Sequence, residues 1–350
     1  MTFRSRRTIA AGAAMLVMGA LGTACSNSSA NSGGARGLTN VTIAQATASL
    51  LFAPIYVAQD HGLFRKNGLN VKVVIAGGAS TALDAVVSNS AQFAACGLSD
   101  VLLLASKGKF VQAFASLVTA NPDDIVVTKQ FAASKNLTTA SPLAEKVRAL
   151  SGATIGVVEA GTVPQQIVQW LLPQYGVSAS AVKYVALHDP ATALAAMQHN
   201  RVDGIAFPPP GPQSAISAGV AEMWIDSSNG EIKPGFWSGM VASSAYLRAN
   251  KKTAVALARS LEEAEQYIGS DPTAAAKLIQ KDFTGQSSAA YEAGWEAQEP
   301  VIAKTVAVNE GQFKSVISFL KGAGTTVPSD VTFSKVMTNA VAASVTGGRS

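Results

Sequence analysis

Val71-Lys-Val-Val-Ile75-Ala-Gly77-Gly78-Ala-Ser80-Thr81-Ala-Leu-Asp-Ala-Val-Val-Ser88 is the stretch whose reading decides the fold. Its β-branched apolar run over Val71–Ile75 predicts a strand, and its apolar positions from Thr81 to Ser88 predict a helix. The turn between them, Gly77-Gly78-Ala79-Ser80, allows close backbone approach and ends in a hydroxyl at the helix start.

The same alternation extends in both directions. Upstream, Val41–Gln45 predicts a strand and Phe52–Arg65 a helix; downstream come a strand over Gln92–Cys96, a helix over Ser99–Ser106 and a longer apolar run over Val111–Thr119. The pattern then restarts with strands at Ile125–Val127, Thr154–Val158, Val182–Leu187 and Gly204–Phe207, interleaved with helices over Val163–Tyr175 and Ala191–His199. Pro208-Pro209-Pro210 cannot continue a central strand and marks its end. A strand-like Gly239–Ser243 comes after Trp237, and helices over Thr253–Gly269, Pro272–Phe283 and Glu310–Lys321 close the chain. Strands alternating with helices imply an α/β fold with largely parallel sheets, and 350 residues suit two lobes.

Candidate site residues lie in the turns at the ends of the strands. In open α/β sheets, ligands sit beyond the carboxyl ends of strands, where glycines admit the ligand and helix N-termini offer free N–H groups. Three turns fit: Gly77-Gly78 with Ser80, Gly97 with Ser99, and Gly161 with Thr162. Each alone is also an ordinary capping turn; three spread over two α/β units point to a shared cleft.

Charge patterning excludes other classes. The first 24 residues hold Arg4, Arg6 and Arg7 and no acid, so they carry +3 of the formal +5; the rest has 24 basic against 22 acidic residues, without the stripe that nucleic acid requires. Residues 1–24 read as a secretory leader, with an apolar stretch over Ile9–Leu21 too short to span a bilayer and small residues before Cys25. Gly22-Thr-Ala-Cys25 is similar to a bacterial lipobox, although Leu21 lies one place early; an incidental Cys25 after an ordinary cleaved leader is the alternative. Ser5-Arg6-Arg7 also resembles a twin-arginine signal. Residues 25–37 read as a polar tether with a reach of about 20 Å. Cys96 is the second and last cysteine, a small buried hydrophobe, so no internal disulfide is available to the exported part.

Pro54-Ile-Tyr-Val-Ala-Gln-Asp-His-Gly62-Leu-Phe64-Arg-Lys-Asn-Gly68-Leu-Asn-Val71, then Gly77-Gly78 and Gly97-Leu-Ser-Asp100, resemble the binding proteins of the nitrate/sulfonate/taurine and thiamine-pyrimidine-precursor class. Gly152, Ile155-Gly156-Val157, Gly161-Thr162, Ala193-Leu194 and Val202-Asp203-Gly204 are similar to that family's second-lobe landmarks. The resemblance implies a two-lobed periplasmic-binding-protein fold of type II, with ligand between the lobes. It divides the chain into one lobe over 38–116 plus 238–350 and another over 117–237. It implies a small-molecule ligand, an ABC permease and ATPase as partners, an outer-face membrane location through the lipid anchor, a monomer, no cofactor and no nucleic acid. Cleft residues implied in this way are Ser49, Phe52, Gly77, Gly78, Ser80, Gly97, Ser99, Gly161, Thr162, His188, Asp189 and Phe207, with Trp237 as a stacking face.

None of those loops carries Arg or Lys, so an anion would rest on helix N-termini and hydroxyls alone. Phe52, Phe207 and Trp237 would suit a flat ring, which favours a neutral or weakly charged heteroaromatic molecule over nitrate or a simple sulfonate. An enzyme is disfavoured: His61, His188 and His199 fall in no metal spacing, and neither a P-loop nor a G-x-S-x-G elbow occurs. A sensor or surface-interaction lipoprotein of the same fold is the remaining alternative.

Overall fold

The computed structural model describes residues 37–346, apart from 228, 229, 231 and 234. The leader, Cys25 and most of the tether therefore lie outside the described residues. Among the described residues, no helix is long and apolar enough to cross a membrane.

Among the described residues, ten strands form two sheets of five. In chain order they are β1 (Thr39–Gln45), β2 (Leu69–Ile75), β3 (Phe93–Gly97), β4 (Gln112–Val118), β5 (Asp124–Thr128), β6 (Thr154–Val157), β7 (Lys183–Ala186), β8 (Gly204–Phe207), β9 (Ala221–Ile225) and β10 (Ser238–Ala242). The first sheet is ordered β2-β1-β3-β10-β4 and the second β7-β6-β8-β5-β9. Each has a single strand running against the rest, β10 in the first and β5 in the second. These are the strands by which the chain arrives from the other sheet, so the sheets are mixed where the sequence predicts largely parallel ones. The two lobes of a periplasmic-binding-protein fold result, joined where the chain passes from β4 to β5 and from β9 to β10.

Burial tracks the sheet order. The central strands β3, β8, β5 and β10 are buried at every residue, as covering both faces of a sheet with helices requires. The edge of β4 is sealed by the C-terminal segment: Ser116 N donates to Val306 O at 2.9 Å and Thr338 N to Ala113 O at 2.9 Å. The helix Lys251–Ser270 packs against Ala53–Asp60 and Ala340–Thr346 and holds the first lobe together.

Several elements differ from expectation. The helix predicted over Phe52–Arg65 is a 3₁₀ turn at Leu50–Phe52, then Ala53–Asp60 and Leu63–Lys66, broken at Gly62, whose φ is +73°. The segments Lys129–Lys135, Leu143–Ala149 and Ser288–Gln298 are helices, and Ala221–Ile225 is an edge strand, none of which the periodicity signals. The edge strand Ala-Glu-Met-Trp-Ile carries a register shift where it pairs with β5, and this blurs its alternation.

Candidate functional site

The carboxyl ends of four strands converge between the lobes. Ala46 and Thr47 lie just past β1, Cys96 and Gly97 end β3, Val158 lies just past β6 and Pro208 just past β8; together with Asp123 and Phe236 from the two crossings they wall a cavity of about 50 Å³. Helix starts complete the wall: Ala79, Asp100, and Thr162-Val163-Pro164. A second, more polar recess of about 270 Å³ lies alongside; Asp100 and Thr162 line both spaces, and Ser80, Asp84, Lys107, Lys109 and Gly161 line the recess.

The lobes touch around this space. Ser49 Oγ donates to Pro209 O at 2.7 Å while accepting from Leu51 N at 3.1 Å, and Leu50 N also donates to Pro209 O at 3.1 Å. Thr47 Oγ1 donates to His188 O at 3.4 Å, and His188 Nδ1 lies 3.0 Å from Gly77 O. Glu159, just beyond β6, accepts from Ser80 N through Oε2 at 3.3 Å, which puts a carboxylate of one lobe on a helix N-terminus of the other. A Cβ on Gly78 would collide with that Oε2, so this close approach needs glycine. The structure is thus of the closed arrangement. Ligand pockets commonly enclose roughly 300–1,000 Å³, so the inner cavity takes only part of a ligand unless the lobes part.

Of the residues expected at the cleft from sequence, Phe52, Gly97 and Thr162 line the inner cavity, and Ser80, Gly161 and Thr162 line the recess. Ser49, Gly77, Gly78 and His188 lie at the lobe–lobe contacts. Thr162 Oγ1 is engaged with Glu159 O at 2.7 Å, and Gly161 O accepts from Gln166 Nε2 at 2.7 Å. Ser99 is buried, and its hydroxyl has no partner among the described residues. Asp189 caps the helix Pro190–Gln198, accepting from Thr192 N at 2.9 Å and Thr192 Oγ1 at 2.7 Å; desolvation works against ionisation, but these bonds outweigh it and hold the carboxyl below its usual range. Phe207 is fully buried in the second lobe's core, and Trp237 is buried with Nε1 donating to Ser116 Oγ at 2.6 Å. Neither ring faces the cavity; Phe236, one residue before Trp237, does.

Two lining residues that sequence reasoning does not single out dominate the electrostatics. Asp100 and Asp123 are both buried. Burial pushes the Asp100 carboxyl up to about 7, against a hydrogen bond from Gly97 N at 3.2 Å, with Glu159 adding to the rise. Burial likewise pushes Asp123 up to about 8, with Asp124 and Asp100 as like-charged neighbours. Asp123 Oδ1 has no hydrogen-bond partner among the described residues, whereas Asp124 next door is satisfied by Ser227 N and Gln213 Nε2, both at 2.9 Å. Cys96 shares the wall, and burial, then the Asp100 charge, push its thiol well up, so it stays protonated and a poor nucleophile. Among the described residues, no Lys, Arg or His lines the inner cavity. Nor is any group of three acidic, His or Cys side chains among them arranged to hold a metal.

Two lobes with convergent strand ends and a cavity between them define a protein of the periplasmic-binding-protein fold. The NMT1-like family model matches residues 38–281, and the chain belongs to that family. It is 22% identical over 241 residues to the putative binding protein YtlA of Bacillus subtilis (strain 168), a match spanning 66% of each chain. The alkanesulfonate-binding protein SsuA of Xanthomonas axonopodis pv. citri, bound to MOPS, superposes with a TM-score of 0.69 at 17% identity, covering 85% of this chain and 98% of that one. The desulfurization enzyme DSZB superposes with a TM-score of 0.59 at 13% identity over 89% of this chain and 99% of its own, so the fold also serves catalysis.

Proposed function

We propose that this protein is the extracytoplasmic solute-binding component of an ABC importer, closing two lobes around a small organic molecule, and that it is not an enzyme. The observation that carries the reading is the cavity walled by strand ends of both lobes, with hydrogen bonds that pass from lobe to lobe at its rim: Ser49 to Pro209, Thr47 to His188 and Ser80 to Glu159. A cleft that forms only when two lobes meet suits capture and release by hinge motion. Against catalysis, the only thiol in the wall is held protonated and no histidine of the wall stands beside it to act as a base. Membership of the NMT1-like family and the likeness to a putative binding protein support the same reading. Export and anchoring belong to the reading through the Arg-bearing leader and Cys25.

The test is solution scattering and thermal unfolding of residues 26–350 with a metabolite panel covering pyrimidines, flavins, amines, sulfonates, nitrate and bicarbonate. A ligand at 100 times its Kd stabilises by about 2.7 kcal/mol, which raises Tm by a few degrees. Binding accompanied by a smaller radius of gyration supports the reading; turnover of the bound compound, or a panel that leaves both quantities unchanged, counts against it.

A further inference from the structure

A largely apolar interlobe space whose wall holds two carboxylates and, among the described residues, no cationic side chain is electrostatically unfinished. Asp123 is 3% exposed and Asp100 8%, so water does little to solvate either. Asp123 is held there by its backbone: its carbonyl accepts from Ser227 Oγ at 2.5 Å and from Asn121 Nδ2 at 3.2 Å, which fixes the crossing and leaves the side chain in the cavity wall with Oδ1 unpaired. Asp100 lines the same cavity from the first turn of the helix that begins at the end of β3. A buried carboxylate without a partner is destabilising, and it persists where something supplies the partner.

The usual place for an anionic group, the N-terminus of the helix Ala79–Val87, is already taken by Glu159 from the opposite lobe. An anion entering the inner cavity would meet Asp100 and Asp123 with no Lys, Arg or His among the described lining residues to offset them. A group bearing positive charge and several N–H donors would satisfy Asp123 Oδ1 and bridge to Asp100.

We infer that the cleft selects a small organic cation, an ammonium or amidinium, whose N–H groups bind Asp123 and Asp100 in the inner cavity while the rest of the molecule extends past Asp100 and Thr162 into the outer recess. The inference rests on the reading of the interlobe cavity as the ligand site and gives that site its substrate class. The small inner volume suits a head group of a few atoms, and the recess, with Lys107 and Lys109 on its rim, accommodates a polar remainder.

Matched probe pairs that differ in charge test it: ethylamine against ethanesulfonate, benzylamine against benzenesulfonate, and benzamidine against benzoate, each at up to ~10 mM by thermal shift and calorimetry. The expected result is a Tm rise with at least one cation and none with its anionic partner, and at least a tenfold loss of that affinity in Asp123→Asn and in Asp100→Asn. Above about pH 8, where both carboxyls ionise, the same substitutions should raise the Tm of the empty protein, because each then removes a buried charge; opposite movement of stability and binding is a readout that a merely structural role does not produce. Binding of an anion in preference to its cation overturns the substrate class but leaves the solute-binding reading intact. A shift with zinc or calcium and with no amine also overturns it, in favour of a metal. Silence from all six probes and from the wider panel, with no change in scattering, overturns both.

Discussion

Asp100 and Asp123 carry the sharpest consequences at the scale of single residues. Both have folded-state pKa values raised far above the roughly 3.9 of an unfolded aspartate, so between those limits the folded protein holds protons that the unfolded chain releases. Stability from this source is therefore present at low pH and lost as pH rises toward about 8. Asp124, raised to about 7 by burial, and Glu265, also raised by burial, act in the same direction. The Tm of the empty protein should fall by roughly 5 °C or more from about pH 5 to about pH 8, and Asp123→Asn should flatten that slope, as a scan at matched ionic strength would establish. A slope unchanged in the variant would mean that Asp123 does not titrate in this range. Neither aspartate is legible as a site residue in the sequence. Asp100 sits in Gly97-Leu-Ser-Asp100, where an acid three places into a helix reads as a cap, and it does accept from Gly97 N. Asp123 sits in Asn121-Pro-Asp-Asp124, which reads as a turn.

Elements set which side chains those turns present. At the second crossing a shift of one residue separates Phe236, in the cavity wall, from Trp237, whose indole lies in the first lobe's core. The sequence favours the larger ring for stacking; the extended chain entering β10 turns successive side chains to opposite sides, and the indole N–H finds its partner in Ser116 on β4. Ser116→Ala should therefore lower stability by about 1–3 kcal/mol, since the buried Nε1 would lose its acceptor and Ala307 O the Ser116 hydroxyl, measurable by denaturant unfolding. A loss below about 0.5 kcal/mol would mean that the indole is satisfied elsewhere. The strand–glycine–helix units are legible because a buried parallel strand and a two-faced helix each impose their own apolar period. The edge strand Ala221–Ile225 and the helices at 129–135 and 143–149 are not, being short and dominated by what they pack against.

At the scale of the whole molecule, the contacts that pass between lobes decide how far the equilibrium lies toward closure. Glu159 reaches Ser80 only because Gly78 has no side chain. Gly78→Val would displace the Glu159 carboxylate, the mobile end of a flexible chain, and not the backbone. It should leave each lobe folded, raise the radius of gyration of the empty protein and weaken ligand binding about tenfold, roughly 1.4 kcal/mol. Unaltered scattering and affinity would show that this contact does not hold the lobes. Anchoring belongs to the same scale: if Cys25 is lipidated, Cys25→Ala should move the protein from the membrane fraction to the soluble one, and its retention on membranes would refute the tether.

By itself the sequence determined the class of structure, from alternating strand and helix periods and from glycine turns after strands, because those signals are local and each element displays its own pattern of burial. It also determined that the loops expected at the cleft carry no Lys or Arg. Only the tertiary structure decided that β10 and β5 run against their neighbours, that Phe236 and not Trp237 meets the cavity, and that Asp100 and Asp123 share one wall. Those facts depend on segments distant in the chain packing across a cleft, and the free energy of burying a carboxylate is set by everything around it and not by its neighbours in the chain.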